Sequence, residues 1–224
     1  MAFTLVVDTG KQFLDFKGTI CIWLLIKQDL GVVNLLFTMY LYGMEKKHQK
    51  IANADLDRLS IEDYKKATKT PIIVVLDNIR SLNNIGSVFR TGDAFLIEAV
   101  YLCGYTAKPP HRDIQKTALG ATESVHWEYF ETTMDAIEKL KSTGYLVASV
   151  EQAENSVSLE SVSVDKPMAL VFGNEVRGVD QAVCNASDMC IEIPQLGTKH
   201  SLNISVCAGV VMWELFKKHQ LIKY

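Results

Sequence analysis

Nowhere in this chain do two cysteines stand at C-x-x-C spacing, no turn reads G-x-G-x-x-G, and no loop reads G-x-x-x-x-G-K-[ST]. The missing dinucleotide fingerprint excludes a nicotinamide-linked α/β enzyme, and the missing Lys-Ser/Thr excludes a phosphate loop. The five cysteines (Cys21, Cys103, Cys184, Cys190, Cys207) are odd in number and mostly sit in apolar runs, which fits reduced, buried thiols in a cytoplasmic protein. Cys184, Cys190 and His200 lack a fourth ligand and ordinary zinc spacing, so no metal is expected. Positive charge is also not in excess. With 23 basic against 26 acidic side chains the net charge is −3, which argues against holding nucleic acid by bulk charge. Any polyanion must meet local patches.

A long uncharged run is absent too. "GTICIWLLI" (18 to 26) and "LGVVNLLFTMYLYGM" (30 to 44) are interrupted by Lys27 and Asp29. Neither reaches the roughly 18 residues of a spanning helix, and a continuous span would carry both charges near the bilayer centre. A membrane anchor is therefore disfavoured. A secretory signal is disfavoured further, because Asp8 and Asp15 stand where a positive segment belongs. Two readings of residues 1 to 43 remain open: an apolar extension that packs on the body or a partner, or upstream sequence from a start set too early. The second is preferred, with Met44 the natural beginning. Residues 44 to 69 then form an N-terminal helical segment, and 70 to 224 the main domain.

What is present is alternation. "DLDRLSIEDYKKAT" (55 to 68) carries Leu56, Leu59, Ile61 and Tyr64 between charges, as a surface helix with one buried stripe would. Apolar strands are predicted at Ile72 to Leu76, Ala99 to Cys103, Val125 to Phe130, Tyr145 to Val150, Met168 to Phe172 and Cys190 to Ile193. Helices fall between them, at about 85 to 95, 133 to 141, from about 179, and 201 to 218. Pro109-Pro110 to Gly120 is read as irregular, and 152 to 165 as a polar connection or a lid. Short apolar strands alternating with helices imply a parallel sheet covered on both faces, an α/β fold. Ligands of such sheets bind beyond the carboxyl ends of the strands.

Three of those strand ends carry similar chemistry. After the first strand, "NNIGSVFRTGD" (83 to 93) offers Asn83 or Asn84 as a helix cap, Gly86 as a point of close approach, and Arg90 one turn beyond Gly86. A guanidinium there can reach a phosphate or carboxylate while the glycine leaves room. After "MALVF", Gly173 exposes backbone amides and Glu175 supplies a carboxylate. After "CIEI" a Pro-to-Gly loop leads to a helix with Ser201 at its expected cap, Asn203 just inside, and an oily face from Leu202 to Trp213 suited to burial or a subunit interface. Taken singly, capping and hydrogen bonding account for these amides.

Together, in this order, they resemble the SpoU (TrmH-like) family of RNA ribose 2′-O-methyltransferases in the SPOUT superfamily. "LDNIRSLNNIGSVFRTGDAF", "LVFGNEVRGV" and "IEIPQLGTKHSLNISVCAG" are similar to its three motifs, within residues 70 to 218. Leu96 departs from the glycine the family often has after "AF". The resemblance implies a parallel α/β sheet with a deep C-terminal trefoil knot and a dimer with its active site at the interface. It implies S-adenosylmethionine as cofactor, contacted at Gly173, Ile193 and Leu202, with Val150 a weaker candidate. It also implies Arg90, Asn84, Glu175, Ser201 and Asn203 as the catalytic set. A guanidinium is a poor base, so phosphate binding and stabilisation of the developing alkoxide are physically easier for Arg90 than proton abstraction. Asn84 would orient Arg90 or the ribose, Ser201 and Asn203 would fix the nucleotide, and Glu175 would tie the site together.

RNA is the implied substrate. The sequence leaves no room for the extra N-terminal RNA-binding domain of many rRNA-directed relatives, which favours tRNA over rRNA. A non-catalytic RNA-binding module of the same fold is the alternative. RNA-facing charges are sought at Lys46, Lys47, Lys50, Lys65, Lys66, Lys69, Arg112, Lys116, Lys199 and His200.

Overall fold

Strand β3 (Thr70–Asp77) is the axis of the structure, and its burial explains its composition. Ile72, Val74 and Leu76 enter one apolar layer while Ile73 and Val75 enter another on the opposite face. A strand covered on both sides has no solvent face to keep polar. The computed structural model describes residues 20–28, 31–39 and 50–222, and within them the chain divides into two compact units, 1–57 and 58–224. Met44, Lys46, Lys47, Asp8 and Asp15, on which expectations were placed, lie outside the described residues.

In the first unit β1 (Ile20–Gln28) pairs antiparallel with β2 (Gly31–Met39), in register from Ile20 opposite Met39 to Gln28 opposite Gly31. Among the described residues no helix is long and apolar enough to cross a membrane.

The second unit is a seven-stranded sheet, every neighbouring pair parallel, in the order β5-β4-β3-β8-β6-β9-β7. From β3 the chain passes through α2 (Leu82–Ala94) to β4 (Ile97–Cys103), then through α3 (Arg112–Ala118) and α4 (Ala121–Ser124) to β5 (His126–Phe130). It then crosses through α5 (Thr133–Ser142) to β6 (Leu146–Val150) on the far side. A two-residue edge strand β7 (Val157–Ser158) follows, and β8 (Met168–Phe172) returns to lie between β3 and β6. The last elements are α6 (Gln181–Ala186), β9 (Met189–Glu192) and α7 (Ile204–Ile222). Buried side chains of α2, α3 and α7 form one layer with Ile72, Val74 and Leu76, and those of α5 and α6 form the other with Ile73 and Val75.

Several local expectations are corrected. The surface helix shrinks to α1 (Ile61–Lys66), which buries Tyr64 alone, while Leu59 and Ile61 face solvent. The cap of α2 is Ser81, whose hydroxyl accepts from Asn84 N, so neither Asn83 nor Asn84 is needed for capping. The irregular stretch before Gly120 contains α3, capped by the imidazole of His111 rather than by a usual cap residue. Residues 152 to 165 are no lid. Leu159, Val162 and Val164 are buried, and Lys218 Nζ donates to the carbonyls of Leu159, Glu160 and Val162. Leu96 holds a left-handed turn at φ 52°, a conformation costing a leucine roughly 1–2 kcal/mol that glycine would escape. Its partial burial against the core offsets that cost.

Gly86 does permit close approach, but to protein. A methyl group there would lie 2.2 Å from Ile114 O and from Thr117 Oγ1 of α3, so it leaves no space for a ligand. Gly86→Ala gains about 1 kcal/mol of helix propensity but overlaps a backbone oxygen that no rotamer change can move. A net loss of about 1–2 kcal/mol is expected, read as a lower urea midpoint at unchanged slope.

Candidate functional site

The loops leaving β6, β8 and β9 surround a cavity of about 470 Å³ at the carboxyl edge of the sheet. That volume falls in the range of small-molecule sites. The loop after β8 folds tightly on itself and against the chain leaving β6, and two glycines make this possible. A methyl group on Gly173 would stand 2.2 Å from Gly178 C and Val179 N, and Gly178 has φ +71° with Glu151 Oε2 2.2 Å from where a methyl would be. Between them Asn174 closes the loop on itself. Its Oδ1 accepts from Val176 N (3.0 Å) and Arg177 N (3.1 Å), its carbonyl accepts from Gly178 N (2.8 Å), and its Nδ2 donates to Asn78 O (2.9 Å) and Tyr105 Oη (2.8 Å).

Two carboxylates fasten this loop outward. Glu151, just past β6, accepts from Val179 N and Gln152 N, both at 2.9 Å. Glu175 accepts from Arg80 N and Ser81 N at 3.0 Å and from Asn84 Nδ2 at 3.1 Å, so the loop after β8 is held to the start of α2. Asn84 Oδ1 in turn accepts from Asn203 Nδ2 at 3.3 Å. Asn203, not Ser201, caps α7: its Oδ1 accepts from Ser205 N, Ser205 Oγ and Val206 N. Ser201 and Leu202 lie on the cavity wall before the helix begins, and Gln152 Nε2 holds that chain by donating to His200 O at 2.7 Å.

The structure thus joins Asn84, Glu175 and Asn203 in one hydrogen-bonded row, although they are distant in sequence. Gly173, Ile193, Leu202, Val150 and Ser201 line the cavity with Glu175 and Asn203. Arg90 does not. It lies roughly 240° around α2 from Asn84, exposed alongside Asn83 and Ala94, and no hydrogen bond or ion pair engages its guanidinium among the described residues. Lys69 is engaged within the protein: its Nζ donates to Tyr64 O and sits 3.5 Å from the Tyr64 ring centroid. Sequence reasoning missed Glu151, Gln152, Asn174 and Arg177. The signal for Glu151 was available, as a carboxylate directly after a fourth apolar strand.

Burial works against ionisation of Glu175, but the donors from Arg80, Glu175's own backbone, Ser81 and Asn84 outweigh it and hold the carboxyl below its ordinary value. Burial pushes the Cys207 thiol on the cavity wall up to about 11. Among the described residues no group of three His, Cys, Asp or Glu side chains converges as a metal site would require.

A parallel sheet with a ligand-sized cavity at its carboxyl edge, rimmed by mutually bonded amides and a carboxylate, defines an α/β small-molecule-binding domain. The chain belongs to the SpoU rRNA methylase family, whose model matches residues 71–213. A putative TrmH family tRNA/rRNA methyltransferase from Staphylococcus haemolyticus is 32% identical over 169 residues, 75% of this chain and 67% of that protein. Among solved structures, a TrmH/SpoU tRNA-modifying enzyme from A. aeolicus is 26% identical with a TM-score of 0.65, covering 73% of this chain and 82% of that one. An AdoMet-bound rRNA methyltransferase from Sinorhizobium meliloti is 25% identical with a TM-score of 0.63, covering 69% of this chain and 59% of that one.

The Glu175 bonds have a pH signature. A carboxyl whose folded pKa is depressed contributes stability above its unfolded value, about 4.3 for glutamate, and that contribution is lost as pH falls through the folded value. Glu175→Gln keeps the shape but turns an amide N–H toward one of the donors. The variant is expected to melt below the wild type at pH 7, with the gap closing below about pH 4. Thermal melts across that range check this.

Proposed function

We propose that this protein transfers a methyl group from S-adenosylmethionine to a ribose 2′-hydroxyl of RNA, with tRNA preferred over rRNA. The observation that carries the reading is the row Glu175–Asn84–Asn203 at the cavity mouth, assembled from the three sequence motifs. A cavity of about 470 Å³ walled partly by backbone and by Gly173, Ile193 and Leu202 fits an adenosine-sized ligand recognised without unusual side chains. Bound there, S-adenosylmethionine supplies an electrophilic methyl on a sulfonium, which leaves as a neutral thioether. No metal or leaving-group acid is then required of the protein.

The protein's task is to bring the hydroxyl into line and to ease loss of its proton. Ser201 and Asn203, exposed at the mouth, hold the nucleotide. Glu175, through Asn84, keeps that mouth in shape. Arg90 binds the adjacent phosphate and stabilises the developing alkoxide. Because Arg90 is off the cavity of its own chain, it acts on the cavity of a second copy in a homodimer. Val206, Val210 and Trp213 of α7 are 54%, 41% and 51% exposed, an apolar stripe suited to that contact. Thr91, next to Arg90, packs on Gly209 of the same helix, so guanidinium and stripe lie on neighbouring helices.

The packing of Gly178 on Glu151 after β6, and the bond from Gln152 to the loop before α7, support a C-terminal part threaded as a trefoil knot. Free thiols among the described residues support a reducing, cytoplasmic setting. The preference for tRNA draws on coverage of the A. aeolicus tRNA-modifying enzyme, 82%, against 59% for the S. meliloti rRNA methyltransferase.

Arg90→Ala is expected to abolish transfer of labelled methyl to bulk tRNA while calorimetry shows cofactor binding within about twofold of the wild type. A fully active variant would remove Arg90 from the mechanism.

A further inference from the structure

Tyr105 lies just after β4 and is 61% exposed, yet it is held as firmly as a core residue. Its backbone N donates to Asn78 Oδ1 at 3.2 Å and its hydroxyl accepts from Asn174 Nδ2 at 2.8 Å. The next residue, Thr106, is 2% exposed, donates to Leu76 O at 3.0 Å and accepts from Ile79 N at 2.9 Å. Gly104 makes the turn into it at φ +62°, with Asn78 Oδ1 2.1 Å from where a methyl would stand. A single exposed aromatic is ordinary. A ring fixed through its backbone, its neighbour and its hydroxyl tip is not, because fixing it serves no burial.

The segments joined to it through Asn174 carry two arginines. Asn174, which holds the hydroxyl, also accepts from the backbone of Arg177, and it donates to the carbonyl of Asn78, two residues before Arg80. Both arginines are exposed, and no ion pair engages either among the described residues. The same Asn174 lines the cavity. A flat face tied through Asn174 to two segments that each carry an unpaired, exposed arginine, one residue removed from the cavity wall, matches an unpaired nucleotide: base on ring, phosphates on arginines. A ring whose hydroxyl and backbone are already hydrogen-bonded loses less entropy on stacking than a free one.

Resting on the RNA methyltransferase reading above, we propose that Tyr105 is the stacking platform for an unpaired base of the substrate RNA flanking the ribose to be methylated. Arg80 and Arg177 hold the adjoining phosphates. The bond to Asn174 sets the distance between that base and the cavity, so Tyr105 is a positioning residue. It takes no part in the proton or methyl transfer.

The test uses the full-length protein, bulk tRNA and labelled S-adenosylmethionine. Tyr105→Ala is expected to weaken tRNA binding and raise KM for tRNA by about ten- to a hundredfold, the value of one base–aromatic stack. Cofactor affinity and the melting temperature should change little. Tyr105→Phe, which keeps the ring and loses the hydroxyl, restores most of the tRNA affinity. Its remaining defect should appear in kcat, because the ring is no longer tied to the cavity loop. Equal tRNA affinity for wild type and Tyr105→Ala overturns the proposal and leaves the enzymatic reading standing. Equal loss in the Phe and Ala variants, accompanied by loss of cofactor binding, overturns it in favour of a purely structural tether. A change of oligomeric mass in Tyr105→Ala overturns it in favour of a protein contact. A wild-type protein that neither binds nor methylates bulk tRNA removes the reading beneath the proposal, and the proposal with it.

Discussion

The Glu175 carboxylate, accepting from the first backbone amides before α2 and from Asn84, is the constraint on which the site depends. It belongs to a loop that has just left β8, and its donors belong to a segment that has just left β3, the neighbouring strand. Parallel strands side by side bring their carboxyl ends to one edge. There the orphan amides of a helix start need an acceptor, and an ionised carboxylate is the strongest one available. Asn84 is thereby freed from capping, which Ser81 performs, and can pass the connection on to Asn203. Three loops become one rim.

That arrangement is possible only because β3 and β8 are buried on both faces. The side chains of Val74, Val75, Leu170 and Val171 are wholly excluded from solvent, and each such burial contributes about 1.5–3 kcal/mol. The apolar layers fix the register of the strands, and the register fixes where each loop emerges. Gly173 then lets the loop after β8 fold on itself, and Gly178 lets that loop pack on Glu151 beyond β6. The cavity is a consequence of topology, and the chemistry at its mouth comes from a few polar side chains placed by it.

Much of this could be read from the sequence, for identifiable reasons. The wholly apolar strands from Ile72, Ala99 and Met168 announced a covered parallel sheet, and their ends marked the site. Membership of Glu175, Asn84 and Asn203 in one set followed from three motifs in one order. Less legible was anything decided by the path of the chain. Ser201 and Asn203 are both good caps, and only the course of Ser201 and Leu202 along the cavity, outside the helix, selects Asn203. Gly86 looked like room for a ligand until α3 filled it, and α3 itself was hidden behind a histidine cap. Glycine at position 96 would have declared the left-handed turn that Leu96 conceals. Tyr105 gave no signal, since an isolated tyrosine in a Pro-rich stretch carries no period.

The proposed reaction commits to a sugar oxygen, not a base, as the acceptor of the methyl group. Chemical analysis of tRNA labelled by the wild-type protein tests it most directly. A methyl on the 2′-oxygen blocks alkaline cleavage of the next phosphodiester, so the label should survive alkali in dinucleotides and digest to a ribose-methylated nucleoside. Label released by alkali as mononucleotides, or recovered on a base, would contradict the account.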